Sequence, residues 1–154
     1  MNQELNYNIQ IGTQADIKAI AQFQVDMALE SEGTTLSIDT VIPGVEAAIN
    51  DSNKATYVIA YLSGNPIASL MITKEWSDWT NKWYWWIQSV YVIPQYRGKG
   101  VYKAMYNKIK DMALQNGVTQ IRLYVDKTNV NAQKVYQKLG MSECHYLMYE
   151  ETIS

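Results

Sequence analysis

Between Trp83 and Val101 the chain runs from a long aromatic and β-branched stretch through a proline into a Gly-x-Gly turn. This junction limits the fold more than any other segment. Trp83–Val92 is rich in residues that fit a pleated surface, so it reads as a strand, and Pro94 stops it by removing a ladder donor. Gly98 and Gly100 let the backbone turn sharply and bring its N–H groups close to a ligand. After them Val101, Met105, Ile109 and Met112 recur at helical spacing as far as Asn116-Gly117. A glycine turn that opens a helix carries unpaired N–H groups and the positive end of the helix dipole, which together favour an anion. Arg97, Lys99 and Lys103 add charge beside it. The segment is not a Walker loop, because no Gly-Lys-Ser/Thr follows a four-residue spacer. Nor is it a dinucleotide fingerprint, because Tyr102 and Lys103 stand where a third glycine is needed. The physical expectation is a pyrophosphate cradle; the plainer alternative is a glycine turn without a ligand.

The rest of the chain alternates strands and helices around that junction. Tyr7–Ile11 reads as a first strand. Thr13–Asp16 resembles a capping box, and Ile17, Ile20, Ala21, Val25 and Ala28 then follow at helical spacing. A looser stretch from Ser31 to Thr40 precedes a short helix from about Val41 to Asn50. Thr56–Leu62 and Ile67–Lys74 flank Ser63-Gly64-Asn65-Pro66 and read as a hairpin. Trp76–Lys82 reads as a polar and aromatic connection. Gln120–Val125 alternates as a strand, Ala132, Val135, Tyr136 and Leu139 line a helix ended by Gly140, and Glu143–Glu150 is expected to supply a last strand. This order predicts an α/β (α+β) fold, with a mixed central sheet of about six to seven strands and about four helices packed on it. At 154 residues a single domain, 1–154, is expected.

Charge and composition narrow the ligand. From Arg97 to Lys138 nine basic residues face two acids, a net of +7, inside a chain whose formal charge is −2. An acidic chain repels a long polyanion, so a small phosphorylated ligand is expected and nucleic acid is not. No apolar run approaches the roughly 18 residues of a membrane span. The start of the chain, Met1 to Asn6, has neither the basic residues nor the apolar run of a secretory signal. A single Cys144 suits a reducing compartment, so a cytoplasmic protein without disulfides is expected. One cysteine and one His145 leave no cysteine- or histidine-based metal cluster, so no metal is expected.

Gln95-Tyr96-Arg97-Gly98-Lys99-Gly100 resembles the Q/R-x-x-G-x-G/A acetyl-CoA signature of the GNAT superfamily of N-acetyltransferases. Asn131-Ala132-Gln133-Lys134-Val135-Tyr136-Gln137-Lys138-Leu139-Gly140-Met141 resembles the second motif of that family, N-A-x-x-x-Y-x-x-x-G-F/M, and the element order is similar over nearly the whole chain. The resemblance implies a splayed pair of parallel strands, here Trp83–Val92 and Gln120–Val125, with the pantetheine of acetyl-CoA lying between them. It implies that backbone groups of Val90 and Val92 bond the pantetheine and that an N–H near Tyr91 polarises the thioester carbonyl. It places the pyrophosphate on the amides of Arg97, Gly98, Lys99, Gly100, Val101 and Tyr102, with Gln95 and Tyr96 of the signature also binding the cofactor. Asn131 would bond pantetheine or adjacent backbone, and Lys134 and Lys138 would lie near the adenosine phosphate. Tyr136 takes the family's place for the general acid that protonates the departing thiolate; as a residue on the apolar helix face it is equally a core aromatic. Gln88 stands where many members carry a basic glutamate, which leaves a water chain or another carboxylate, among them Glu30, Glu32 and Asp39, as the base.

Trp76, Trp79, Trp83, Trp85 and Trp86 fall within eleven residues. Alternation sends Trp83 and Trp85 to one face, and Tyr84 and Trp86 to the other. Two readings stand: core on one face and a homodimer contact on the other, or an aromatic wall for a cationic amine, with Glu30, Trp86 and Gln88 bordering the acceptor. The function implied is acetyl transfer from acetyl-CoA to a primary amine, on a small molecule or a protein, by direct attack in a ternary complex. A module of the same fold that holds acyl-CoA without turnover is the alternative.

Overall fold

A computed structural model describes residues 5–154; Met1–Glu4, part of the stretch read for a signal, lie outside the described residues. The described chain forms two compact units that meet in sequence between Leu123 and Tyr124. The first holds a five-stranded sheet in sequence order: β1 (Asn8–Ile11), β2 (Thr56–Leu62), β3 (Asn65–Ser77), β4 (Lys82–Val92) and β5 (Gln120–Arg122). The first four strands pair antiparallel and β5 pairs parallel to β4, so the sheet is mixed as expected. Five strands stand where six to seven were expected.

Helices cover both faces. Asp16 accepts a hydrogen bond from the Thr13 backbone N–H at 2.8 Å, the carboxylate half of a capping box, and α1 (Ile17–Glu32) follows. Gly33 at φ 63° ends it in the left-handed cap only a glycine takes easily. The helix α2 (Ile38–Asn50) begins three residues before the expected Val41, because Ser37 takes the N-cap position and its carbonyl accepts from Thr40 and Val41. Ile17, Ile20 and Ala21 of α1 and Val45 and Ala48 of α2 form a core with Tyr57 and Ile59 of β2. On the other face α3 (Val101–Gln115) buries Val101, Met105 and Ile109, and its Met112 and its C-cap residue Asn116 line a small cavity with Ile72 and Trp85.

The β3–β4 hairpin is longer than expected. Trp76 and Ser77 belong to β3, opposite Trp83 and Lys82, and the turn is confined to Asp78–Asn81. Trp76 and Trp83 meet edge to face, their ring centroids 4.9 Å apart, a cross-strand pair that holds the far end of the hairpin. Trp85 is buried while Trp79 at the tip is 91% exposed, so the tryptophans do not form one continuous wall.

The β4 strand is interrupted once. Gln88 pairs with Met71 and Tyr91 with Ser69, so three steps on β4 oppose two on β3, and Ser89–Val90 form a β-bulge facing Leu70. Ser89 takes φ 54°, in the left-handed region. Before the bulge Trp85 and Ile87 point to the α3 face; after it Tyr91 points to the α1 face and packs on Phe23, centroids 5.5 Å apart.

The second unit contains α4 (Val130–Lys138), capped by Asn129, whose side chain accepts from Ala132 N–H at 3.1 Å. Gly140 at φ 96° closes it, with Met141 N–H bonding the Tyr136 carbonyl. The strand expected over Glu143–Glu150 is absent: residues 141–154 have no ladder, and Tyr146, Leu147, Met148 and Tyr149 are exposed. The segment is rich in apolar and aromatic residues, but a strand also needs a paired edge. The same shortfall trims β5 to three residues from the expected Gln120–Val125.

Left-handed backbone at Ser89 yields a stability prediction. A β-branched residue there meets a steric cost, so Ser89→Val should lower unfolding free energy by about 1–2 kcal/mol. Ser89→Gly should change it by less than about 0.5 kcal/mol. Urea unfolding of both variants checks this; equal losses would place the effect in side-chain contacts rather than backbone.

Candidate active site

The glycine turn lies where β4 gives way to α3. Pro94–Tyr96 form one 3-10 turn, Arg97 is extended, and Gly98 and Gly100 take φ 72° and 81°. Gly100 is the N-cap of α3 and offers no side chain to bond the first-turn N–H groups. A Cβ placed on Gly98 or Gly100 would meet nothing within 4 Å, so the space beside the turn is open. The first turn of α3 carries no acid and includes Lys103. Open space, helix-end N–H groups and local positive charge fit a pyrophosphate.

Side chains outside the turn fix its shape. Arg97 donates from Nε to the Val92 carbonyl at 2.9 Å and grips the Glu30 carboxylate with both terminal nitrogens, the Nη2 contact at 2.9 Å. Its guanidinium lies over the Tyr91 ring, 5.5 Å from the centroid. Tyr7 donates its hydroxyl to the Lys99 carbonyl at 2.7 Å. The turn is thus tied to β4, to the last turn of α1 and to the segment before β1. Sequence reasoning counted Arg97 as free charge and missed both Tyr7 and the Arg97–Glu30 pair, which join residues 92 and 67 positions apart.

The electrostatics follow from these contacts. The Arg97 hydrogen bond holds the Glu30 carboxyl below the usual glutamate range, and Glu30 in return raises Arg97. A carboxylate so held is a weak proton acceptor. Burial raises the Tyr91 phenol, with the Asp26 and Glu30 carboxylates adding to the effect and Arg97 opposing it. Phe23, Asp26 and Glu30 follow at helical spacing along α1, one turn or less apart, which is how two acids come to bear on one ring.

The remaining expected residues are distributed over the two units. Gln88 donates its amide to Thr73 Oγ1 at 3.1 Å, so it is half of a cross-strand pair. Trp86 donates its indole N–H to Glu75 at 3.0 Å. Val90 belongs to the bulge and Val92 ends β4. Gln95 and Tyr96 lie in the 3-10 turn, with Lys99 Nζ 5.8 Å from the Tyr96 ring centroid; Val101 is buried and Tyr102 half-buried at the start of α3. In the second unit Asn131 lies in the first turn of α4 and is exposed. Tyr136 is half-buried, and burial raises its phenol above the ordinary value. Among the described residues no group of three His, Cys, Asp or Glu side chains gathers to hold a metal, and no helix is long and apolar enough to cross a membrane.

A bulged fourth strand runs into a glycine turn at a helix N-terminus, an arrangement whose helix end suits an anion. Residues 19–141 match the Acetyltransferase (GNAT) family, and the chain belongs to it. A crystal structure of a possible acetyltransferase from Clostridium difficile 630 superposes with a TM-score of 0.89 at 39% identity, covering 98% of this chain and 99% of that one. Ribosomal-protein-alanine N-acetyltransferase from Brucella melitensis biovar Abortus 2308 shares the fold with a TM-score of 0.80 at 17% identity, over 97% of this chain and all of that one. The thialysine N-epsilon-acetyltransferase of Mus musculus is 35% identical over 68 residues, 44% of this chain and 39% of that protein. The Bos taurus enzyme of the same name is 34% identical over 58 residues, 38% of this chain and 34% of that protein. The chain therefore spans less than two fifths of the length of these curated relatives.

Both partners of the Arg97–Glu30 pair are more than a third exposed, so it is worth less than about 1 kcal/mol. Because the Glu30 pKa is lowered on folding, that contribution is present at neutral pH and is lost as pH falls below the ordinary glutamate range. Glu30→Gln should therefore destabilise at pH 7 and low salt, and the difference from wild type should vanish near pH 3 and in about 1 M salt. Thermal unfolding across pH and salt measures both.

Proposed function

We propose that this protein is an acetyl-CoA-dependent N-acetyltransferase acting on a primary amine. The observation that carries the reading is the glycine turn at the α3 N-terminus, open beside both glycines and continuous with the bulged β4. In this reading the backbone from Arg97 to Tyr102 holds the pyrophosphate, with Gln95 and Tyr96 at its edge. Val90 and Val92 bond the pantetheine, and Asn131 completes the cofactor contacts. An N–H of the bulge, at Val90–Tyr91, polarises the thioester carbonyl, since a bulge leaves backbone groups outside the ladder. Acetyl-CoA supplies the thioester; the chain supplies orientation, a positioned donor and a proton.

The amine attacks directly in a ternary complex. Tyr136 gives its phenolic proton to the departing thiolate, and burial keeps that phenol protonated to high pH. Glu30, Trp86 and Gln88 border the acceptor in this reading. With Gln88 unable to accept a proton and Glu30 held by Arg97, water carries the amine proton away. The thialysine enzymes point to a lysine-like side-chain amine as the first acceptor to test. Chain composition supports a single catalytic domain in a reducing, cytoplasmic setting, and the exposed Trp76, Trp79 and Trp83 suit a homodimer contact. The second reading, a module that holds acyl-CoA without turnover, is favoured by the amide at Gln88.

Thiol release from acetyl-CoA across thialysine, lysine, polyamines, aminoglycosides and peptide N-termini separates the two readings. Turnover with an amine establishes the enzyme. Bound acetyl-CoA with no release across the panel favours the module. Tyr136→Phe should lower kcat by about 100-fold, with the KM for acetyl-CoA within about threefold of wild type. The rate should rise with pH as the amine loses its proton, and should not fall below about pH 10, because the Tyr136 phenol ionises only above its ordinary range. Unchanged kcat in Tyr136→Phe would remove the phenol from the mechanism.

A further inference from the structure

Three strands are fastened through one carboxylate at the place where β5 leaves β4. Glu75 on β3 accepts from Trp86 Nε1 on β4 at 3.0 Å and from Arg122 Nη1 on β5 at 3.1 Å. The Arg122 guanidinium lies over the Tyr84 ring at 4.5 Å from its centroid and over Trp86 at 5.9 Å. Its Nε donates to Gln120 Oε1 at 2.8 Å, which holds the fork in plane. The register puts all these side chains on one face of the sheet, since Glu75 opposes Tyr84, and Tyr84 and Trp86 oppose Gln120 and Arg122.

The position in the ladder gives the cluster its meaning. The β4–β5 pairing has three rungs, Tyr84–Gln120, Trp85–Ile121 and Trp86–Arg122, and the last of them is the fastened one. Three parallel rungs are a short, weak ladder, and a slip of one residue would turn Ile121 to the face Arg122 now occupies. A forked guanidinium that is both bonded and stacked has one register in which all its contacts are made, and its side chain is partly shielded, 28% exposed. Lysine could supply the charge but neither the fork nor the stack.

We infer that Arg122, held by Glu75 and stacked on Tyr84 and Trp86, is a positioning residue that fixes where β5 parts from β4. It thereby sets the β4 backbone from Ile87 to Val92 for the pantetheine arm. The inference rests on the acetyl-CoA reading above. Arg122 touches no reacting atom; it acts through the strand it pins.

Calorimetric titration with acetyl-CoA and with ADP, which carries a pyrophosphate but no pantetheine, tests this on the wild type and on Arg122→Ala, Arg122→Lys and Glu75→Gln. Arg122→Ala should weaken acetyl-CoA binding by about 10-fold or more, the scale at which a misplaced site loses its ligand. ADP, bound at the glycine turn away from the clasp, should stay within about twofold. Arg122→Lys should bind acetyl-CoA between the two, and backbone amide exchange at Trp85 and Ile121 should quicken in step with the loss. Equal weakening of both ligands would mean general damage and would overturn the inference, as would unchanged acetyl-CoA affinity. Should Arg122→Ala not fold, Glu75→Gln keeps the shape of the cluster and is judged by the same two affinities. A wild type that binds ADP but no acetyl-CoA overturns the acetyl-CoA reading, and this inference falls with it; loss confined to the variants cannot be charged to that reading.

Discussion

The bulge at Ser89–Val90 inserts one residue into β4 opposite Leu70, and the layering of the molecule turns on it. A strand alternates its side chains with period two, so an extra residue exchanges the faces beyond it. Trp85 and Ile87 can therefore fill the α3 side while Tyr91, on the same strand, reaches Phe23 of α1. Without the exchange Tyr91 would point toward α3, and Arg97 would lose the ring beneath its guanidinium. The same extra residue removes backbone groups from the β3 ladder in the middle of the sheet, where such groups are otherwise spent on pairing. One local distortion thus supplies the packing of α1 and the exposed backbone that the proposed chemistry uses.

From that point the constraint passes to the glycine turn. Arg97 lies directly after the 3-10 turn that ends β4, and its bonds to Val92 and Glu30 leave the following residues little freedom. Tyr7 holds the Lys99 carbonyl from the opposite direction. Each tie is worth little to stability because each is exposed. Their value is geometric: the turn is held with both glycines in left-handed backbone before a ligand arrives, so less order has to be imposed on binding.

Much of this was legible in the chain because glycine, proline and apolar periodicity act locally. Pro94, Gly98 and Gly100 announced the strand end and the turn, and the Val101–Met112 spacing announced α3. Ser63-Gly64-Asn65-Pro66 marked a hairpin turn; the turn proper is Ser63-Gly64, both with positive φ, because Asn65 and Pro66 already pair with Leu62 and Tyr61. The bulge was not legible, since it carries a serine rather than a glycine in left-handed backbone. Nor were the contacts of Arg97, Glu30 and Arg122, whose charges announce that they will find partners but not which ones. Glu143–Glu150 erred in the opposite direction: its apolar and aromatic residues are a local signal, but pairing is a property of two segments, and residues 141–154 have no ladder.

A division of labour follows from what each kind of group can encode. The donor end of the proposed site is built from backbone N–H groups, placed by two glycines, a helix start and a bulge; these need few side-chain identities, and a short motif suffices to write them. Arg97, the guanidinium in that motif, is engaged with Glu30 and Tyr91, so it shapes the cradle rather than filling it. An acceptor, by contrast, is chosen by side chains, and those on the sheet face beside β4 are already paired: Gln88 with Thr73, and Trp86 and Arg122 with Glu75. A face whose polar atoms are matched to one another offers a shaped, partly aromatic surface rather than a row of free charges. If the acceptor lies there, as proposed, selection works chiefly by fit and by ring faces, and changing one member of a pair strands the other. In the proposed reading, Gln88 and Trp86, which border the acceptor, are also held in the contacts that fix the strands.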